Sequence, residues 1–250
     1  MWQHRELIWN LTVADLKNRY QNTALGFLWS LLSPLLQALV LYLVFRHLWG
    51  QTENFAVNLL VGMMTYQFFS AGTSSSLGAI YGKSSLVTRV YIPRQILVLS
   101  NVLPTLINYL IAFVVLVPLI FVLVRHLPVT VLLFPLIHLI FFFFIYGAGL
   151  FLSSLFVYLR DLNQIWQVVT RVLFFCSPVM YPLSIIPASI MPYYRLNPIT
   201  EFIVIYRDVM VAGNLPSLHS IVVVGGFAVT AYVVGSLVFN KLQRRFAEEM

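Results

Sequence analysis

Acidic residues are nearly missing from this chain, and charge of either sign is scarce. Eight Asp and Glu stand among 250 residues, and 9% of the sequence is charged against 60% hydrophobic, where a soluble domain carries roughly 25% charged residues. A water-soluble fold of this size has nowhere to hide so much apolar surface, so that class is excluded. The acids and the five histidines are scattered. Neither the clustered titratable groups of an enzyme nor the His, Cys, Asp and Glu spacing of a zinc site is present, and no metal site is expected. The single cysteine, Cys176, excludes an internal disulfide. A phosphate-binding loop is missing too: Gly78, Gly82, Lys83 and Ser84 imitate one, but three residues separate the glycines, one fewer than the motif requires. The chain is expected to bind no cofactor of its own.

The charge that remains is sorted. Lys and Arg gather in residues 5–19 and 83–94, at Arg160 beside Asp161, and in residues 241–245. In a soluble protein the net charge of +7 would suggest nucleic acid. Here the basic residues flank apolar runs, which fits anionic headgroups and membrane topology, and no nucleic-acid partner is expected. Lys and Arg resist translocation, so these clusters mark the cytoplasmic face. A bilayer core of ~30 Å takes about 20 residues at 1.5 Å rise. Runs of that order lie at 25–48, 55–80, 96–124, 129–158, 165–181 and 220–239. About six spans place both termini on the same side. Ten of the 15 Lys and Arg then fall inside, four (Arg46, Arg125, Arg195, Arg207) fall outside, and Arg171 lies within the fifth span. The expected fold is an all-α integral membrane protein, one transmembrane domain over residues 1–250, with cytoplasmic termini. Arg5, Glu6, Asp15, Lys17 and Arg19 stand where a cleavable signal would carry its apolar core, so the first span is expected to direct insertion.

Between these landmarks the pattern is finer. Trp2, Trp9, Val13, Leu16 and Tyr20 share one stripe at 100° per residue, as in an amphipathic helix in the headgroup plane over residues 1–22, with Lys17 and Arg19 beside it. Leu7 and Leu11 lie opposite the stripe, which suits a helix held between lipid and protein. Pro104 and Pro118 are expected to kink the third span. Gly62, Gly72, Gly78 and Gly82 in or near the second suit close helix approach. The run Ser70 to Ser76, interrupted only by Ala71, Gly72 and Thr73, fits either tight helix packing or a polar wall along a conduit. His138 stands alone in an apolar span and reads as a helix-packing histidine. Residues 182–198 carry four prolines, too broken to span, and fit short helices that dip in from outside and return, or a surface loop. Arg171 at mid-depth costs about 2.5 to 3.5 kcal/mol on insertion scales, so it either snorkels to headgroups or faces a wet cavity and an anionic group.

Taken in order, the pieces resemble a known family. Leu16-Lys17-Asn18-Arg19-Tyr20, then Leu25-Gly26-Phe27-Leu28-Trp29 and Pro34-Leu35, resemble the opening of ABC-2 type permeases that export polysaccharides. Val90-Tyr91-Ile92-Pro93-Arg94 is similar to that family's cytoplasmic loop, Tyr158-Leu159-Arg160-Asp161-Leu162 to its inner connection, and Ser177-Pro178-Val179 to the end of its fifth span. Leu196-Asn197-Pro198 and Tyr206-Arg207 are similar to its outer segment. The chain departs from the pattern at Gln95, where the family commonly has Glu, and at Val98, where it often has Pro.

The resemblance implies the membrane subunit of an exporter for a lipid-linked polysaccharide, O-antigen foremost, with capsule or teichoic acid as other cargoes. It implies a homodimer with two copies of a separate ATPase, ATP and Mg residing on that partner, in the bacterial cytoplasmic (inner) membrane. This chain is then not itself an enzyme. Residues 83–94 would form the coupling helix that enters the ATPase, with Lys83, Arg89, Tyr91, Pro93 and Arg94 as contacts. The interfacial helix, with Trp2, Trp9, Leu16, Lys17, Arg19 and Tyr20, would rest near the same surface, beside Arg160 and Asp161. Asn197, Pro198 and Arg207 would belong to the outer segment that closes the exit. Sugars stack on aromatic faces, so Tyr42, Tyr66, Tyr109, Phe174, Phe175 and Tyr181 are channel candidates with Arg171. Two other classes remain in view: a membrane enzyme modifying lipid-linked sugars, and an ion-coupled carrier, whose sites usually include buried acids. Topology is open to direct test. With Cys176 changed to Ser, Thr88→Cys is expected to resist a membrane-impermeant maleimide until cells are permeabilised, whereas Ser189→Cys reacts at once.

Overall fold

The structure is a computed structural model that describes residues 4–21, 26, 28–49, 54–84, 92–246 and 249. Every regular element among them is helical, as hydrocarbon demands of a spanning chain without a closed barrel. The α-helices are α1 (Arg5–Tyr20), α2 (Leu28–Trp49), α3 (Phe55–Leu77), α4 (Gln95–Val124) and α5 (Phe134–Tyr158), then α6 (Leu162–Phe175), α7 (Met191–Arg195), α8 (Pro198–Arg207) and α9 (Leu218–Leu242). Among the described residues, three segments are long and apolar enough to cross a bilayer: Gln95–Val124, Val129–Tyr158 and Leu218–Arg245. α2 and α3, of 22 and 23 residues, reach about 33 Å at 1.5 Å per residue. α3 is the less apolar because Asn58, Gln67 and its Ser/Thr run lie along it.

The fifth span differs from expectation. It was expected over 165–181, but α6 stops at Phe175 after 14 residues, about 21 Å of helix. Pro178 explains the stop: it offers no N–H, and its ring pushes the preceding Ser177 out of helical conformation. In α4, by contrast, Pro104 and Pro118 sit inside one continuous 30-residue helix.

α3 is the central element, with 16 of its 23 residues buried among α2, α4, α5 and α8. The most extensive helix pair is α5 with α9, and it is made by glycine. A Cβ on Gly235 would lie 2.1 Å from the Gly147 carbonyl oxygen, and one on Gly147 would lie 2.4 Å from the Tyr232 nitrogen. The two backbones touch, the arrangement small residues permit where lipid is as apolar as leucine. On α3, Gly72 receives Ile145 of α5, and Gly62 leaves room for the Arg207 guanidinium and the Val179 carbonyl. Gly78 and Gly82 do not serve close approach, since a Cβ on either meets nothing within 4 Å.

α1 docks on α4. Its protein-facing side is centred on Ile8, buried Thr12 and half-buried Asp15, about 100° around the helix from the aromatic stripe at 100° per residue. Trp9 on that stripe is 61% exposed, so the helix offers one face to protein and another to its surroundings. Gly147→Val and Gly235→Val are each expected to wedge α5 from α9, an overpacking cost of about 1–3 kcal/mol, visible as a lowered thermal unfolding midpoint in detergent. Gly225→Val and Gly226→Val, where a Cβ meets nothing within 4 Å, should leave that midpoint in place.

Candidate functional site

Between α3 and α6 runs an open groove of about 430 Å³, lined by Tyr66, Ser70 and Ser74 from one helix and Gln167, Thr170, Arg171, Phe174 and Phe175 from the other. The helical period divides the serine run between two jobs. Gly72, Thr73 and Ser76 turn inward, where Thr73 Oγ1 accepts from Trp166 Nε1 at 3.1 Å, while Ser70 and Ser74 face the groove. Gln67 shares the outward face and extends the polar row to α2, donating to Gln37 Oε1 at 3.0 Å. The Tyr66 hydroxyl donates to the Thr170 carbonyl, and its ring meets Phe174 edge-on at 5.1 Å. The wall therefore combines aromatic faces, amides, hydroxyls and one exposed cation, Arg171.

Of the sequence-derived channel residues, the structure brings Tyr66, Arg171, Phe174 and Phe175 together here. Tyr181 lies just beyond, its hydroxyl donating to the Phe175 carbonyl at 2.8 Å. Tyr42 packs beside Phe55, 6.1 Å between rings. Tyr109 stands apart: it lines a small internal cavity of about 20 Å³ with Phe68, Phe113 and His138, because its side of α4 turns toward the core.

At the α8 end of the bundle, motifs far apart in sequence converge. Asn197 caps α8 by accepting from the Ile199 N–H at 3.1 Å, while its Nδ2 donates to Ser177 Oγ at 2.9 Å. Pro198 occupies the first turn, where its missing N–H costs nothing. Arg207 closes the same helix, donating from Nε to the Asn58 carbonyl and from Nη2 to the Val179 carbonyl, both at 3.0 Å. Asn58, Tyr181, Arg207 and Asp208 border a pocket of about 210 Å³. Burial raises the Asp208 carboxyl above its usual range, against the opposing hydrogen bond from Asn214. His138, read from sequence as solitary, pairs through Nδ1 with the Tyr206 hydroxyl at 2.7 Å. The buried helix at this end is α8, which follows the 182–198 stretch. That stretch holds only single turns and exposes Ile185, Ile190, Tyr193 and Leu196.

The opposite end of α3 is a second convergence. Lys83 Nζ reaches Asp15 Oδ2 at 2.8 Å, Asn101 Oδ1 at 2.7 Å and Ser100 Oγ at 3.2 Å. Tyr20 accepts from Asn108 Nδ2 at 2.6 Å, and Leu16 is half-buried while Lys17 and Arg19 are exposed. Arg94 donates to the Gln243 carbonyl and lies 5.9 Å from the Phe246 ring centre, a cation at the C-terminal end of α9 where the helix dipole favours it. Gln95 Nε2 donates to Asn240 Oδ1 at 3.0 Å. Arg160 sits 4.8 Å over the Tyr81 ring, Asp161 is exposed beside it, and Pro93 is exposed. Trp2, Arg89 and Tyr91 lie outside the described residues. Asp15, Asn101 and Asn58 were not picked out as site residues from sequence, and Tyr206 only as part of a family likeness. Each completes a pair separated by 18 to 149 residues, with no local periodicity to announce it.

Long apolar helices, a polar seam open along one side, and basic connections tied together at one end define the membrane domain of a transporter. The chain belongs to the ABC-2 type transporter family, whose model matches residues 6–211. It is similar to the O-antigen export system permease protein RfbA of Klebsiella pneumoniae, 31% identical over 246 residues covering 97% of this chain and 94% of that one. RfbA of Myxococcus xanthus is 30% identical over 255 residues, covering 100% and 97%. The polysialic acid transport protein KpsM of Escherichia coli is 23% identical over 239 residues, covering 92% and 91%.

The convergence at Arg207 generates a prediction. Arg207→Met removes the hydrogen bonds to the Asn58 and Val179 carbonyls, at about 1.5–3 kcal/mol for each charge-assisted bond lost. Hydrogen exchange across residues 198–212 should accelerate, whereas Arg46→Gln at the exposed end of α2 should not change it.

Proposed function

We propose that this chain is the transmembrane permease subunit of an ABC exporter that carries a lipid-linked polysaccharide, O-antigen foremost, across the bacterial cytoplasmic membrane. Two copies work with two copies of a separate ATPase, which holds the ATP and Mg, and both termini face the cytoplasm. The observation that carries this reading is the α3–α6 groove. It runs along the bundle's side with Ser, Gln and aromatic side chains in one row, a surface of little use to lipid. Hydroxyl-rich sugars present both hydrogen-bonding edges and apolar ring faces, and this wall answers each. A groove closed by a second copy makes a continuous path, which a polymer needs because a long chain fits no single pocket. Arg171 supplies a positive charge to an anionic group in passage. Support comes also from the relatives, which are named for export of O-antigen and transport of polysialic acid.

Purification from a native membrane decides the class. An ATPase that copurifies with this chain and hydrolyses ATP faster with lipid-linked polymer is the expected result, and transport activity from this polypeptide alone would overturn it. In the assembled exporter, Arg171→Ala is expected to lower polymer flux by about tenfold, roughly one mispaired charge-assisted hydrogen bond, with Arg171→Lys close to normal. Equal, normal flux in both would remove Arg171 from the path.

A further inference from the structure

The structure assigns Lys83 a role other than contact with a partner protein: it is a positioning residue that joins α1, α4 and the start of the cytoplasmic connection into one mechanical body. The inference rests on the reading that a separate ATPase acts on residues 83–94. Lys83 lies in the one-turn helix Tyr81–Lys83 yet points back into the bundle, its side chain 15% exposed. An ammonium group has three protons to donate and no acceptor. Asp15, Asn101 and Ser100 supply one acceptor each, on α1 and α4, so the group has no proton left for a docking protein.

The surroundings are built to the same end. Asn101 is itself held, its Nδ2 donating to the Ser75 carbonyl at 3.3 Å while its carbonyl accepts from Ser75 Oγ at 3.2 Å. The end of α3 therefore joins the cluster. Asp15 is 25% exposed at its side chain, and an ion pair so shielded is costly to break from one side, unlike a solvated surface pair. Farther along, Asn108 and Tyr20 fix a second point of α1 on α4, and Thr12 is wholly buried. Two ties along one helix set its direction as well as its place. The far end of the connection is fastened elsewhere, through Arg94 and Gln95 to the end of α9. A push on the stretch between them reaches α1 and α4 by way of Lys83, and α9 by way of Arg94.

The test exchanges the charges in the complete exporter with its ATPase, comparing Asp15→Lys, Lys83→Asp and the double swap, with Lys83→Arg as the variant that keeps the charge. Each single reversal is expected to lower polymer exported per ATP hydrolysed by about tenfold, within the 5–150-fold span typical of coupling between sites, while the ATPase still copurifies and hydrolyses ATP. The double swap is expected to restore most of that ratio, and Lys83→Arg to keep it. Normal export in the single variants overturns the proposal, as does a swap that fails to recover. Loss of the ATPase from Lys83→Asp also overturns it, since Lys83 would then be a direct contact. Should the single variants be degraded, the swap still decides, because recovery of folding and export together requires the pair. An ATPase that never copurifies with the unaltered chain removes the exporter reading instead, a result separate from any failure of the swap.

Discussion

Hydrocarbon gives helices no reward for hiding apolar surface from one another, and that constraint shapes this bundle. Association must come from close backbone approach and from hydrogen bonds that have no competing water. The structure uses the two in different places. Through the middle, small residues bring backbones together: Gly147 against the Tyr232 turn, Gly235 against the Gly147 carbonyl, and Gly72 under Ile145. At the two ends, where the chain leaves its helices and carbonyls come free, long polar side chains close the gaps.

The two ends follow one logic with different chemistry. At one end, Arg207, Asn197 and Tyr181 donate to the carbonyls or hydroxyl of the stretch that runs from Phe175, the last residue of α6, to Val179. At the other end, Lys83 and Arg94 fasten the two ends of the connection between α3 and α4 to different helices. The groove between α3 and α6 lies between these ends. It is walled by a helix buried on most sides and by a short one whose outward face stays exposed.

Much of this was legible in the sequence. Run lengths placed α2 through α5 and α9 within a few residues. Arg171, Phe174 and Tyr66 were named for the wall they share. The end of α6 was missed because apolar content continues past Phe175, and hydropathy is blind to Pro178 ending the helix. Tyr109 was grouped with the channel because composition does not say which side of α4 faces α3. The serine run fits packing or a polar wall, and the fold splits it between the core and a groove: residues three and four apart share a face, so Gly72, Thr73 and Ser76 divide from Ser70 and Ser74. Lys83 was read as a contact because a basic residue in a cytoplasmic loop looks available. Only the fold brings Asp15 across 68 residues to occupy it.

The turn after α6 has a practical use. Cys176 is the chain's one thiol, it is exposed, and its carbonyl accepts from Asn197 Nδ2 at 3.3 Å. A small fluorophore or spin label attached there needs no engineered cysteine. It would sit where α6 gives way to the segment that leads into α8, so its spectrum would follow the surroundings of that turn.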